Sequence, residues 1–411
     1  MIYQISRPAT ILKTTVRLPA SKSISNRLLI INALAGGGEI PQNLSDSDDT
    51  RVMLEALSSN HELKDLGHAG TSMRFLAAYF SSRPGKVMLT GSDRMKKRPI
   101  GPLVDALRIL GAEITYAGNE GFPPLEIHGS QIDGGEITID GGISSQFISA
   151  LLMIAPTMQK GLVLHIRGDL VSSSYVKMTL ELMAENGAQY RWDKDAITVL
   201  PGTYAVGDYH VESDWSGASY WYVMALLEEH ARVRLSFLKN DSLQGDSALV
   251  NIFHGLGLVS EFRRGQLDLT RLARIHPGIF SYDFTNSPDI VQSMAVALCM
   301  AGIPFMFTGT QTLRIKETDR VLALQNELKK LGYVLESDRK GSFLAWNKQC
   351  CEPHPDPVIE TYHDHRMAMA FAPAALLLGH LRINDPMVVT KSYPQFWEHL
   401  QKAGFKIKEL S

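Results

Sequence analysis

The stretch Leu107-Arg108-Ile109-Leu110-Gly111-Ala112-Glu113-Ile114 decides how the chain is organised. An amphipathic helix runs into a glycine, and a strand-like segment follows at once. Glycine is favoured just past a helix end because it enters the left-handed conformation without a Cβ clash. The same pattern recurs at Asn186-Gly187-Ala188, Leu256-Gly257-Leu258, Leu331-Gly332-Tyr333 and Ala403-Gly404-Phe405. These glycines stand 76, 70, 75 and 72 residues apart. Self-similarity at a fixed period marks a repeated structural unit.

A second kind of segment shares that period. Small polar residues lead into a helix that is apolar nearly all round, which implies burial inside a domain. It occurs at Ser23-Ile24-Ser25-Asn26 to Leu34, Gly70-Thr71-Ser72 to Phe80, and Ser144-Ser145-Gln146 to Ala155. It returns at Ser216-Gly217-Ala218-Ser219 to Leu227, Ser287-Pro288-Asp289 to Met300, and His363-Asp364-His365 to Leu378. Alternating strands are predicted at Lys86–Thr90, Leu162–Ile166 and Arg232–Ser236. The expectation is an α/β chain of six units, each about 70 residues long, the first degenerate around Val52 to Asn60. Neither a phosphate-cradle Gly-x-x-x-x-Gly-Lys motif nor a Gly-rich dinucleotide turn is present; Gly36-Gly37-Gly38 is followed by Glu39.

The chain has 411 residues, 45% of them hydrophobic, too many for one ordinary core, so two domains are expected. Its formal net charge of -2 argues against a nucleic-acid coat, which needs a basic excess. The three cysteines, Cys299, Cys350 and Cys351, lack zinc-finger or thioredoxin spacing and fit a reducing cytoplasm. Residues 1–18 have no long apolar centre, as a signal peptide would. The apolar stretch Ala368 to Leu378 contains Pro373 and is too short to span a bilayer. A soluble protein without a membrane partner is expected.

Three buried-helix starts suit anions. Ser21-Lys22-Ser23, Gly70-Thr71-Ser72 and Ser144-Ser145-Gln146 offer free N–H groups, hydroxyls and the positive end of a helix dipole. Capping explains any one of them alone. Three in equivalent repeats, one carrying Lys22 and Arg27 on an apolar helix, favour an anion, since unpaired buried charge is costly. Arg94-Met95-Lys96-Lys97-Arg98-Pro99 reads as a basic turn, solvated or functional. Lys316-Glu317-Thr318-Asp319-Arg320 is expected to open a helix with Lys316 and Arg320 on one face. His363-Asp364-His365-Arg366 holds a His-x-His pair, but no further ligands at metal spacing accompany it. Asp289 and Lys391 alone read as a cap and a surface lysine.

Together these pieces resemble the EPSP synthase family, the 3-phosphoshikimate 1-carboxyvinyltransferases. The resemblance rests on Leu18-Pro19-Ala20-Ser21-Lys22-Ser23-Ile24-Ser25-Asn26-Arg27, Ala69-Gly70-Thr71-Ser72-Met73-Arg74, Arg94-Met95-Lys96-Lys97-Arg98-Pro99-Ile100-Gly101, Ser144-Ser145-Gln146-Phe147, Arg314-Ile315-Lys316-Glu317-Thr318-Asp319-Arg320 and Asp364-His365-Arg366-Met367-Ala368-Met369. These motifs stand in the family's order along nearly the whole chain. The resemblance implies a two-domain inside-out α/β barrel with three units per domain, residues 1–20 plus 213–411 forming one domain and 21–212 the other. It places the active site in the cleft between them.

It also implies the activity: the enolpyruvyl group of phosphoenolpyruvate passes to the 5-hydroxyl of shikimate 3-phosphate, in the pathway to chorismate and the aromatic amino acids. Shikimate 3-phosphate is expected at Lys22, Ser23, Arg27, Ser144, Ser145, Gln146, Ser172, Asp289, Thr312 and Lys316. Phosphoenolpyruvate is expected at Lys22, Gly70, Arg94, Gln146, Arg320, Arg366 and Lys391. Asp289 takes the hydroxyl proton, Glu317 protonates the methylene carbon, and Lys22 stands between both substrates. No metal or organic cofactor, a monomer and inhibition by glyphosate are implied as well. His68 and Thr312 depart from the family pattern, where Asn is usual at the first and found in some members at the second. The sister UDP-N-acetylglucosamine enolpyruvyl transferases use a different opening motif and a loop cysteine, absent between Arg94 and Arg98. A non-catalytic anion-binding relative is disfavoured because Asp289 and Glu317 are both present.

Overall fold

All five recurring glycines lie in the left-handed region: φ is 105° at Gly111, 92° at Gly187, 91° at Gly257 and 97° at both Gly332 and Gly404. Each turns the chain from a helix back toward a sheet. The computed structural model describes residues 1–410 apart from 273, 274 and 276. It divides into two compact units, one formed by Ala20–Val211 and one by Met1–Pro19 with Glu212–Ser411.

The unit Ala20–Val211 carries helices α1 (Lys22–Leu34), α2 (Asp48–Ser58), α3 (Gly70–Ser81), α4 (Gly101–Ile109), α5 (Ser145–Ile154) and α6 (Ser173–Glu185). Helices α1, α3 and α5 pack on one another. They are buried on nearly every side; in α5 only Gln146 escapes burial. Helices α2, α4 and α6 are amphipathic. One sheet orders its strands Leu63–Asp65, Gly85–Thr90, Leu125–Gly129 and Glu113–Tyr116; another orders Gly135–Asp140, Leu162–Arg167, Ala196–Val199 and Tyr190–Asp193. In both, the first pair is parallel and the others antiparallel. Val87 stands opposite Ile127, and Ile137 opposite Leu164. The first repeat contributes no named sheet of its own among the described residues, only a bridge between Gln42 and His210.

The other unit carries α7 (Trp215–Leu227), α8 (Leu249–His254), α9 (Val291–Ala301), α10 (Arg320–Lys330), α11 (His365–Phe371), α12 (Ala375–Leu378) and α13 (Phe396–Lys402). Helix α9 packs against both α7 and α11, and all three are buried. Burying each large apolar side chain there contributes about 1.5–3 kcal/mol. The N-terminal strands belong to this unit: Ile5 pairs with Leu381 on one side and Ile407 on the other, and Thr14 pairs with Val233.

Two expected helices are shorter than the sequence suggests. The segment after Ser287 opens as a 3₁₀ turn, Pro288–Ile290, before α9. The helix expected to Leu378 breaks at Ala372–Ala374, because Pro373 lacks the N–H that would continue it. Among the described residues, no helix is long and apolar enough to cross a membrane.

Candidate functional site

In the unit Ala20–Val211, four helix starts are tied together. Ser21 caps α1, accepting from the Ile24 N–H at 3.4 Å. The Lys22 ammonium lies 3.2 Å from Asp49 Oδ2 in the first turn of α2. Ser72 of α3 donates to the Asp49 carbonyl at 2.9 Å. The side-chain amide of Gln146, at the start of α5, donates to Thr71 Oγ1 at 3.1 Å, and Ser144 accepts from the Gln146 N–H at 3.3 Å. Lys22, Gly70, Thr71, Ser144, Ser145 and Gln146 thus belong to one meeting of helix N-termini, the arrangement that binds phosphates.

One turn along α1, Arg27 is fully engaged. Its Nε donates to Thr179 Oγ1 at 2.7 Å and Nη1 to the Ser23 carbonyl at 2.9 Å. Nη2 donates to Ser149 Oγ and to the Tyr175 carbonyl, each at 3.3 Å. Its guanidinium carbon lies 5.3 Å from the Phe75 ring centroid. Burial pulls the Arg27 pKa down to about 10. Ser172, buried just before α6, holds φ at 56°, a conformation that costs a serine energy and that clusters at functional sites.

The other unit gathers opposite charges at the starts of α9, α10 and α11. Arg320, 1% exposed, donates from Nε to Asp364 Oδ2 at 2.7 Å, from Nη1 to Asp289 Oδ1 at 3.1 Å and from Nη2 to Glu317 Oε2 at 2.9 Å. Arg366 Nη2 lies 2.9 Å from Asp289 Oδ2, and its Nη1 donates to the Asp289 carbonyl at 3.0 Å. Lys391 Nζ donates to Glu317 Oε1 at 2.8 Å. Asp364 also caps α11 through the Arg366 N–H at 2.9 Å. Burial works against the Arg320 charge, but Asp364, Glu317 and Asp289 together hold its pKa above the ordinary arginine value. Lys316 is pushed the other way: desolvation lowers its pKa, with Asp289 opposing. Thr312 lies in the turn Gln311–Ile315, its hydroxyl oxygen buried without a hydrogen-bond partner.

The EPSP synthase family model, described as 3-phosphoshikimate 1-carboxyvinyltransferase, matches residues 6–59 and 57–400. The chain belongs to the EPSP synthase family. A 3-phosphoshikimate 1-carboxyvinyltransferase of Bacteroides fragilis is 50% identical over 409 residues, 99% of each chain. One from Photobacterium profundum is 37% identical, covering 96% of this chain and 97% of its own. A solved EPSP synthase from Acinetobacter baumannii superposes over 100% of both chains with a TM-score of 0.75 at 21% identity, which speaks for the fold.

Within this EPSP synthase framework some readings change. Lys316 and Glu317 precede α10, whose cap is Asp319, so Lys316 and Arg320 share no helical face. Asp289 is not a helix cap; it sits in the turn before α9 with its carboxylate on two guanidiniums. Lys391 is not an exposed surface lysine: it is 9% exposed. A Cβ added at Gly70 would fall 2.2 Å from Arg98 Nη1, so Arg98 is the cation seated on Gly70, while Arg94 is exposed. Asp49 and Asp364 were not assigned roles from the sequence. Both stand at helix starts, where an acid reads as a cap, and their cation partners lie 27 and 44 residues away along the chain. Among the described residues, no group of three or more His, Cys, Asp or Glu is placed to hold a metal ion.

Proposed function

We propose that this chain transfers the enolpyruvyl group of phosphoenolpyruvate to the 5-hydroxyl of shikimate 3-phosphate, forming 5-enolpyruvylshikimate 3-phosphate and inorganic phosphate. The family membership and the activity for which its relatives are named support the reaction. The observation that carries the site is one set of ion pairs in which the carboxylates Asp289 and Glu317 are held by Arg320, Arg366 and Lys391.

The chemistry needs those residue types. The 5-hydroxyl oxygen bonds to C2 of phosphoenolpyruvate as its proton passes to Asp289, and C3 takes a proton from Glu317, which gains it from solvent once Arg320 and Lys391 turn to the incoming anion. The tetrahedral adduct then loses a proton from C3 as the bond from C2 to the phosphate oxygen breaks. Phosphoenolpyruvate brings a phosphate and a carboxylate, which compete with Asp289 and Glu317 for Arg320, Arg366 and Lys391. Binding thereby releases the two acid/base groups at the moment they are required, and the guanidinium forks suit both anions. Lys22, Gly70, Arg94 and Gln146 complete the phosphoenolpyruvate contacts in this proposal, with Arg98 lying against Gly70. Shikimate 3-phosphate is assigned Lys22, Ser23, Arg27, Ser144, Ser145, Gln146, Ser172, Asp289, Thr312 and Lys316.

The test is release of inorganic phosphate by the purified protein. Release is expected only when both substrates are supplied. No release with the pair, or equal release from phosphoenolpyruvate alone, would sink the reading.

A further inference from the structure

Asp246 lies in the 3₁₀ turn Gly245–Ala248 and is 4% exposed. Its Oδ2 accepts from the Ser216 hydroxyl in the first turn of α7. Its Oδ1 is buried and has no hydrogen-bond partner. The turn is pinned in place: Gln244 accepts from the Trp215 N–H at 3.0 Å and donates to Glu212 Oε1 at 2.9 Å and the Ser213 carbonyl at 2.8 Å. The charged and titratable groups facing Asp246 are Asp214 at the cap of α7, Asp289 in the turn before α9, Arg366 on α11 and Tyr282 on the strand Phe280–Asp283. Asp246 therefore adds a carboxyl to a cluster in which Asp289 is held by the guanidiniums of both Arg366 and Arg320. A buried carboxyl with an unsatisfied oxygen is a costly way to fill space.

We propose that Asp246 is a positioning residue of the enolpyruvyl-transfer site: by holding or releasing one proton beside Asp289 and Arg366, it sets how strongly that cluster binds the anionic enolpyruvyl donor. This rests on the reaction assigned under Proposed function. Burial, then the charge of Asp289, raises the Asp246 pKa to about 7, against the pull of Arg366 and the Ser216 hydroxyl. Protonated, Asp246 leaves Arg366 to face one carboxylate that an incoming anion displaces. Ionised, it adds a second negative charge beside the same guanidinium, against which the donor must be brought. Anion binding and protonation of Asp246 are therefore linked, each favouring the other. The proton exchanges with bulk solvent and no covalent bond is made.

The experiment measures KM for phosphoenolpyruvate at saturating shikimate 3-phosphate from about pH 5.5 to about pH 8.5, spanning the Asp246 titration. It compares the intact protein with Asp246→Asn and Ser216→Ala. The donor's own titration is common to all three. Relative to Asp246→Asn, the unaltered protein is expected to lose affinity by up to about tenfold for each pH unit above about 7. Ser216→Ala removes a hydrogen bond that favours the ionised carboxyl, so its loss is expected to begin at higher pH. Superimposable KM curves for all three overturn this inference alone. If Asp246→Asn does not fold, a Ser216→Ala curve coincident with that of the unaltered protein overturns it. No phosphate release by the unaltered protein overturns the reaction assignment, and this inference with it.

Discussion

At the scale of single residues, the cations are held by partners that a different cation cannot satisfy. Arg27 uses all three guanidinium nitrogens. A lysine offers one compact point charge and cannot span Thr179, Ser23, Ser149 and Tyr175. Arg27→Lys is therefore expected to raise KM for shikimate 3-phosphate by tenfold or more, about 1.4 kcal/mol or above, with smaller effect on KM for phosphoenolpyruvate. Asp289→Asn keeps the shape of the turn and removes the base. Turnover is expected to fall by a factor of about 10² to 10⁴ while the circular dichroism spectrum is unchanged, and a near-normal rate would take Asp289 out of the mechanism. Asp49 and Asp364 show why single positions are hard to read. A helix-start acid looks the same whether it caps a helix or holds a cation from another element.

At the scale of elements, α10 and the segment leading to α11 are joined at both ends. Arg320 reaches Asp364 at one end. At the other, the fully buried Glu327 accepts from Lys330 at 2.6 Å, the Glu360 N–H at 2.9 Å and the Tyr362 hydroxyl at 2.7 Å. Between them Tyr362 and His363 both adopt positive φ, 53° and 55°, just before the Asp364 cap. That strain persists only because both ends are anchored. Glu327→Ala removes the buried acceptor shared by the Lys330 ammonium, the Glu360 N–H and the Tyr362 hydroxyl. It is expected to cost about 3–5 kcal/mol, measured by denaturant unfolding, and Glu327→Gln less. The turn bearing Asp246 carries a pH signature of its own. Its folded pKa of about 7 stands above the ordinary 3.8, so its contribution to stability is full below about pH 4 and is lost as pH rises toward 7. Asp246→Asn does not titrate. Its stability relative to the unaltered protein is expected to climb by up to roughly 4 kcal/mol between about pH 4 and about pH 7, then level off. A flat difference across that window would show that Asp246 is ordinarily ionised.

At the scale of the molecule, the chain's beginning is structurally part of its second half. The strand Ile2–Ser6 lies between His380–Asn384 and Lys406–Leu410, so deleting residues 1–8 is expected to open the middle of that sheet. A lower unfolding temperature with a changed near-ultraviolet spectrum would be the readout, and an unaltered melt would contradict it. The glycine period, the buried helices, the strands at Gly85–Thr90, Leu162–Arg167 and Arg232–Ser236 and the family were all legible in the sequence, because each depends on local backbone preference or on ordered motifs. The break at Pro373 was not read from the sequence, where the helix was expected to run on to Leu378. What the sequence by itself determined is the repeated unit: glycine alone enters the left-handed turn freely, and apolar residues all round a helix must be buried. Only the tertiary structure decided which acid meets which cation: Lys22 with Asp49, Arg320 with Asp364, Asp289 and Glu317, Gly70 under Arg98, and Asp246 beside Asp289. Those pairings join elements far apart in the chain, and charge complementarity at such separations leaves no periodic trace in the sequence.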